Sequence, residues 1–101
     1  MSEAAITKQI MDWLRKQPDV FAWKAVGSTF SRRGIPDICG SVGSSALWLE
    51  VKTEKGKVSP SQRVVHAEIL RSGSLVWIVR SLDDAKKAVG TLREIAARAA
   101  N

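Results

Sequence analysis

The stretch Asp37 to Thr53 constrains the fold more than any other, because apolar and polar residues alternate on both sides of Gly43-Ser44. That pair suits a two-residue type II′ turn, in which glycine supplies the positive φ needed at the first central position. Asp37 to Val42 and Ser45 to Thr53 then become antiparallel strands, and so short a turn fixes their register. Pairing Val42 with Ser45 carries the register down to Asp37 opposite Glu50. Strand side chains alternate with a period of two, so Asp37, Cys39, Trp48, Glu50 and Lys52 share one face, while Ile38, Leu47, Leu49 and Val51 share the other. One face is therefore charged and the other fit for a core.

The remaining segments supply what that core packs against. Ser2 caps a first helix on which Ile6, Ile10, Trp13 and Leu14 recur on one side, and Pro18 marks its end. Val20 to Ala25, rich in β-formers, reads as a strand. Val26 to Pro36 is a long polar loop with two glycines and an Arg pair, longer than a bare connection requires. Ser59-Pro60-Ser61-Gln62 has the form of a capping box with proline at the first helical position, and the helix it opens runs to about Arg71, with Gly73 just past its end. Leu75 to Val79 is nearly all apolar and predicts a strand buried on both faces. Ser81 with Asp84, and Thr91 with Glu94, mark one or two closing helices, with Gly90 as the break. The expectation is a single α/β (α+β) domain over residues 1–101, a mixed central sheet flanked by helices in the order α-β-β-β-α-β-α. A chain of 101 residues, 45% of them hydrophobic, has material for one core and no second domain.

Composition narrows the chemistry. Cys39 is the single cysteine, which excludes an internal disulfide and a cysteine-based zinc site and suits a reducing cytoplasm. Charged residues interrupt the first 17 positions, so neither a signal peptide nor a membrane span is expected there. Sixteen Lys and Arg against ten Asp and Glu give a formal charge of +6, which favours a polyanionic partner such as nucleic acid.

Phosphodiester hydrolysis needs a hard cation, and carboxylates are its usual protein ligands. Directly opposite positions on an antiparallel pair hold their Cβ atoms roughly 5 Å apart, so Asp37 and Glu50 can share one ion. Two residues along the same face, the Lys52 ammonium can orient a nucleophilic water or offset charge building on the phosphate. The competing reading makes Glu50 and Lys52 an exposed ion pair on a solvated sheet face, worth ~0–1 kcal/mol. Pro36-Asp37, which fixes the backbone where the strand begins, favours the site.

Phe30-Ser31-Arg32-Arg33-Gly34-Ile35-Pro36-Asp37, Leu49-Glu50-Val51-Lys52 and Ser59-Pro60-Ser61-Gln62 followed by His66 resemble the VRR-Nuc (virus-type replication-repair nuclease) family of the PD-(D/E)xK nuclease superfamily. With an early helix carrying Glu3, the similarity spans Glu3 to about Arg80. It implies a restriction-endonuclease-like fold and a DNA endonuclease dependent on Mg²⁺ or Mn²⁺, with no small-molecule cofactor and no membrane. By this resemblance Asp37 and Glu50 bind the metal, the Val51 backbone carbonyl completes the set, Lys52 is the catalytic lysine, Gln62 supports the site and Glu3 adds an acidic group indirectly. Branched or Holliday-junction DNA is the candidate substrate. A homodimer is expected, since standalone members of that family tend to pair and a small domain has little surface for gripping a duplex. A phage origin suits so short a version, and the site of action is then the host-cell cytoplasm.

Some residues keep two readings. Glu3 lies on the apolar side of its helix and either faces a site or complements the positive helix N-terminus. Gln62 completes the capping box and can also meet a phosphate or support the metal site. His66, one turn on, is a structural hydrogen-bonder or a general base. Arg32 and Arg33 are placed to reach substrate phosphates, and Lys24, Lys55 and Lys57 to extend that positive surface. Of the four tryptophans, Trp13 and Trp77 suit the core, whereas Trp48 shares the face of Glu50. The alternative to an enzyme is a non-catalytic nucleic-acid-binding module, or a subunit that recruits a partner.

Overall fold

The computed structural model of the chain describes residues 1–26 and 32–100. Phe30 and Ser31, with the rest of the stretch 27–31, lie outside the described residues, and so does the expectation of a role for that part of the loop. Among the described residues the order is α1 (Glu3–Leu14), β1 (Val20–Lys24), β2 (Ile38–Val42), β3 (Ser45–Val51), α2 (Pro60–Arg71), β4 (Trp77–Val79) and α3 (Leu82–Ala99). This is the α-β-β-β-α-β-α sequence read from the chain. The four strands form one mixed sheet in the order β1-β2-β3-β4, antiparallel through β3 and parallel between β3 and β4.

The β2–β3 register follows from its turn. Val42 pairs with Ser45 and Ile38 with Leu49, which leaves Asp37 and Glu50 at the next step of the ladder. Gly43 has φ of 57° and no non-glycine residue among those described has positive φ, as a type II′ turn requires. Ile38, Leu47, Leu49 and Val51 then point to one side, where they bury against Ile6, Ile10 and Leu14 of α1 and Val89 and Leu92 of α3. Each such fully buried aliphatic side chain contributes about 1.5–3 kcal/mol from removal of its surface from water.

Both predicted caps of α2 form. The Ser59 hydroxyl accepts from the Gln62 amide at 3.2 Å while the Gln62 side chain accepts from the Ser59 amide at 2.9 Å. At the other end Gly73 (φ 98°) donates to the Leu70 carbonyl and Ser74 to that of Ile69, the paired bonds of a Schellman turn. α2 thus begins and ends where the sequence says, and it lies over the sheet face opposite the core.

Two expectations fail. The apolar run Leu75 to Val79 yields only a three-residue edge strand, and Ile78 is 44% exposed, because β4 has a neighbour on one side only and its α2-side position is left uncovered. Nor does Gly90 break the last helix: α3 runs unbroken from Leu82 to Ala99, capped by Ser81 through the Asp84 amide. Ala85, Ala88, Val89 and Leu92 bury on either side of Gly90, and that packing outweighs the roughly 1 kcal/mol by which glycine disfavours a helix interior.

Candidate active site

Asp37 precedes β2 immediately, and its position is fixed from three directions. Buried Pro36 comes before it, its carbonyl accepts from the Ala25 amide at 2.8 Å, and its Oδ2 accepts from the Val51 amide at 2.7 Å. Gly34, two residues ahead of Pro36, takes φ of 91° and packs so closely on α2 that a Cβ there would lie 2.4 Å from the Ser61 carbonyl oxygen. The chain therefore reaches Asp37 pressed against α2.

Across the ladder, Glu50 is only 1% exposed. Its two carboxyl oxygens meet α2: Gln62 Nε2 donates to Oε2 at 3.1 Å and His66 Nε2 lies 3.1 Å from Oε1. Burial pushes the Glu50 carboxyl up to about 9; Asp37 pushes the same way, Lys52 opposes them, and the Glu3 charge adds slightly. His66 is held below its ordinary value, by burial first and then by Lys52, so it is a neutral imidazole at pH 7. Lys52 itself is 8% exposed. The exposed ion pair expected on a solvated sheet face is therefore not what Glu50 and Lys52 form; both are buried, Glu50 beneath α2.

Two neighbouring acids, one of them almost fully desolvated, are costly when both ionise. In the metal-free protein a proton relieves the repulsion, and a divalent cation would relieve it more fully, so the donor set suits a hard ion. Among the described residues no group of three or more His, Cys, Asp or Glu side chains is placed to hold a metal. A cation at Asp37 and Glu50 would thus complete its coordination with backbone carbonyl and water oxygens, as Mg²⁺ usually does.

The other singled-out residues are dispersed. Glu3 is exposed in the first turn of α1, not turned inward, since the helix starts at that residue; there it complements the helix N-terminus while its charge still reaches Glu50. Arg32 forms an ion pair with Glu68 of α2, and Arg33 is exposed beside it. Lys55 and Lys57 are exposed in the segment between β3 and α2. Lys24 pairs with Ile38 and so belongs to the α1 side of the sheet, where it lines a groove with Thr7, Lys8 and Arg15. Cys39 is buried, donates weakly to the Pro36 carbonyl at 3.6 Å, and has its thiol raised to about 11 by burial and by the charges of Asp37 and Glu50, which makes it an inert neighbour.

Two contacts escaped the sequence reading. The bond from His66 to Glu50 was foreshadowed only by its spacing, one turn beyond Gln62 on the same face. The Val51 amide bond to Asp37 had no signal at all, because a backbone donor carries no residue identity.

No model of a known protein family matches the sequence, and no curated protein matches it. Solved structures do. A "VRR_NUC domain protein" superposes with a TM-score of 0.78 at 14% identity, over 93% of this chain and 89% of that one. A "VRR_NUC domain" superposes with a TM-score of 0.72 at 20% identity, over 89% of this chain and 97% of that one. At these identities the likeness speaks for the fold, and it extends over nearly the whole length of each protein. The chain has the fold of these VRR_NUC domains.

Proposed function

We propose that this protein is a DNA endonuclease dependent on Mg²⁺ or Mn²⁺, with Asp37, Glu50 and Lys52 as its catalytic centre. The observation that carries this reading is the buried Glu50, one step beyond the Ile38–Leu49 pair and so across from Asp37, with Lys52 buried just past the end of the same strand. Asp37, Glu50 and the Val51 carbonyl would hold the cation, which when bound would polarise the phosphate and lower the pKa of the attacking water. Gln62 and His66 hold the two Glu50 oxygens and so aim the carboxylate. The Val51 amide does the same for Asp37. From its place near Glu50, the Lys52 ammonium would donate a hydrogen bond to the incoming water or to a phosphate oxygen.

The substrate in this reading is DNA, with branched or Holliday-junction forms as the preferred class, and the place of action is the cytoplasm. No described helix is long and apolar enough to cross a membrane. The formal charge of +6 supports a polyanionic substrate. Exposed Arg33, Lys55 and Lys57 supply phosphate contacts around the site, whereas Arg32 must first release Glu68. The working unit is a homodimer, supported by the exposed aromatic pair Phe21 and Trp23 on edge strand β1, whose rings lie 5.7 Å apart and remain 66% and 50% accessible.

Labelled linear, flapped and four-way DNA, incubated with Mn²⁺ or with chelator, tests the reading. Metal-dependent cleavage is expected from the wild type, with a loss on the order of 10²–10³ in Lys52→Ala, the scale for removing one donor from a transition state. If both proteins are equally inert on every substrate, and binding survives Asp37→Ala without metal dependence, the chain is a binding module instead.

A further inference from the structure

Arg80 follows the last residue of β4, and its guanidinium does something no local pattern in the sequence announces. Its Nη1 donates toward three backbone carbonyls of one turn: Thr53 at 2.6 Å, Glu54 at 3.2 Å and Gly56 at 2.8 Å. The turn is otherwise closed by a single bond, from the Gly56 amide to the Thr53 carbonyl at 3.1 Å. This is the turn into which Lys52 leads.

We propose that Arg80 is a positioning residue, which holds Lys52 in the site by tying down the turn Thr53–Gly56. The assignment rests on the nuclease reading only for what Lys52 does once placed. Lys52 belongs to no strand: β3 ends at Val51, and its one ladder-like bond runs from its amide to the Val79 carbonyl at 3.0 Å. The turn packs on its stem. A Cβ built on Gly56 would lie 3.5 Å from Lys52 Cβ and 3.2 Å from Thr53 Oγ1, so the glycine backbone folds directly over the lysine. Were the turn to open, that cover would go, and the ammonium would exchange the site for solvent.

The post to which the turn is tied is rigid. The Arg80 amide donates to Asp84 Oδ2 at 2.9 Å, and Asp84 in turn donates its amide to the Ser81 cap of α3. Arg80 thus joins the end of β4 to the start of α3, both fixed by the core. A guanidinium suits the task because it presents several donors in a fixed plane and cannot lose its charge. Chain continuity carries the effect further: residues 53–58 lead to the Ser59 cap, where Gln62 is oriented toward Glu50. Arg80 accordingly fixes the β3 end of the connection that joins the catalytic strand to α2, and the capping box fixes the other.

Acylation of lysines with an acetylating reagent, read residue by residue by mass spectrometry, tests this without reference to DNA cleavage. In the wild-type protein Lys52 is expected to react slowly, and exposed Lys55 and Lys86 quickly. In Arg80→Met, which keeps the stem and loses every donor, the Lys52 rate rises about tenfold relative to Lys86, as local opening without global unfolding would give. On a cleavable DNA, kcat falls about 100-fold, the cost of a misplacement near 1 Å, with KM changed less than about threefold. If Arg80→Met does not fold, Arg80→Lys carries the test and gives smaller changes in the same directions. Unchanged Lys52 protection in a folded variant, or unchanged kcat despite faster acylation, would overturn the proposal. A wild type that cleaves nothing counts against the nuclease reading alone, because the acylation rates still decide whether Arg80 holds Lys52.

Discussion

Replacing Glu50 by glutamine should make the metal-free protein more stable, by an amount that depends on pH in a defined direction. The Glu50 carboxyl is pushed up to about 9 from a reference of 4.5, so between those values the unfolded chain has Glu50 ionised and the folded chain has it protonated. A raised acid pKa means that folding takes up a proton. The associated stability is fully present below about pH 4.5 and is lost as pH rises toward 9. At pH 7 the loss is on the order of 3 kcal/mol, from roughly 2.5 pH units at about 1.4 kcal/mol each. With 1% of Glu50 exposed, little solvent screening reduces it. Glutamine has nearly the same shape, still accepts from Gln62 and has no charge to desolvate. Urea unfolding of both proteins with chelator present, followed by circular dichroism from pH 4.5 to 8, checks this. The variant's advantage should be near zero at the acid end and grow by about 1.4 kcal/mol per pH unit. A difference that stays flat with pH, or a variant less stable at pH 8, would refute the idea that burial of Glu50 beside Asp37 destabilises the metal-free protein.

The same protonation state implies that metal uptake expels a proton. Mn²⁺ titrated near neutral pH should release about one proton per ion, so the binding enthalpies measured in two buffers of different ionisation enthalpy should differ accordingly; identical enthalpies would show that Glu50 was already ionised. Gly90→Ala should stabilise the protein by about 0.5–1 kcal/mol and raise Tm by roughly 2–8 °C, because a Cβ there meets no atom within 4 Å and the helix runs through the position unbroken. A lowered Tm in a calorimetric scan would mean that Gly90 serves a close approach the structure does not contain.

What could be read from the sequence was what local chemistry dictates. The Gly43-Ser44 turn fixes a register, the register places Asp37 next to Glu50, and the Ser59-Gln62 box starts the helix that covers them. Each follows from a short-range rule. Contributions settled by tertiary position could not be read in this way. Ile78 looks like a core residue until β4 proves to be an edge, and Gly90 looks like a helix break until the stripe on either side of it is seen to bury. Glu3 falls on the apolar spacing of its helix yet sits at the helix's first residue, where solvent reaches it. Arg80 and the Val51 amide act through backbone groups distant in sequence, for which no residue pattern exists.

The central claim is that Asp37 and Glu50 together hold a divalent ion. Crystals soaked in Mn²⁺, with anomalous diffraction recorded for the wild type and for Asp37→Asn, test it most directly. The account predicts one anomalous peak within coordination distance of both carboxyl groups and of the Val51 carbonyl, absent in the variant. A wild-type crystal with no peak there, or with its only peak elsewhere and undisturbed by the substitution, would contradict it.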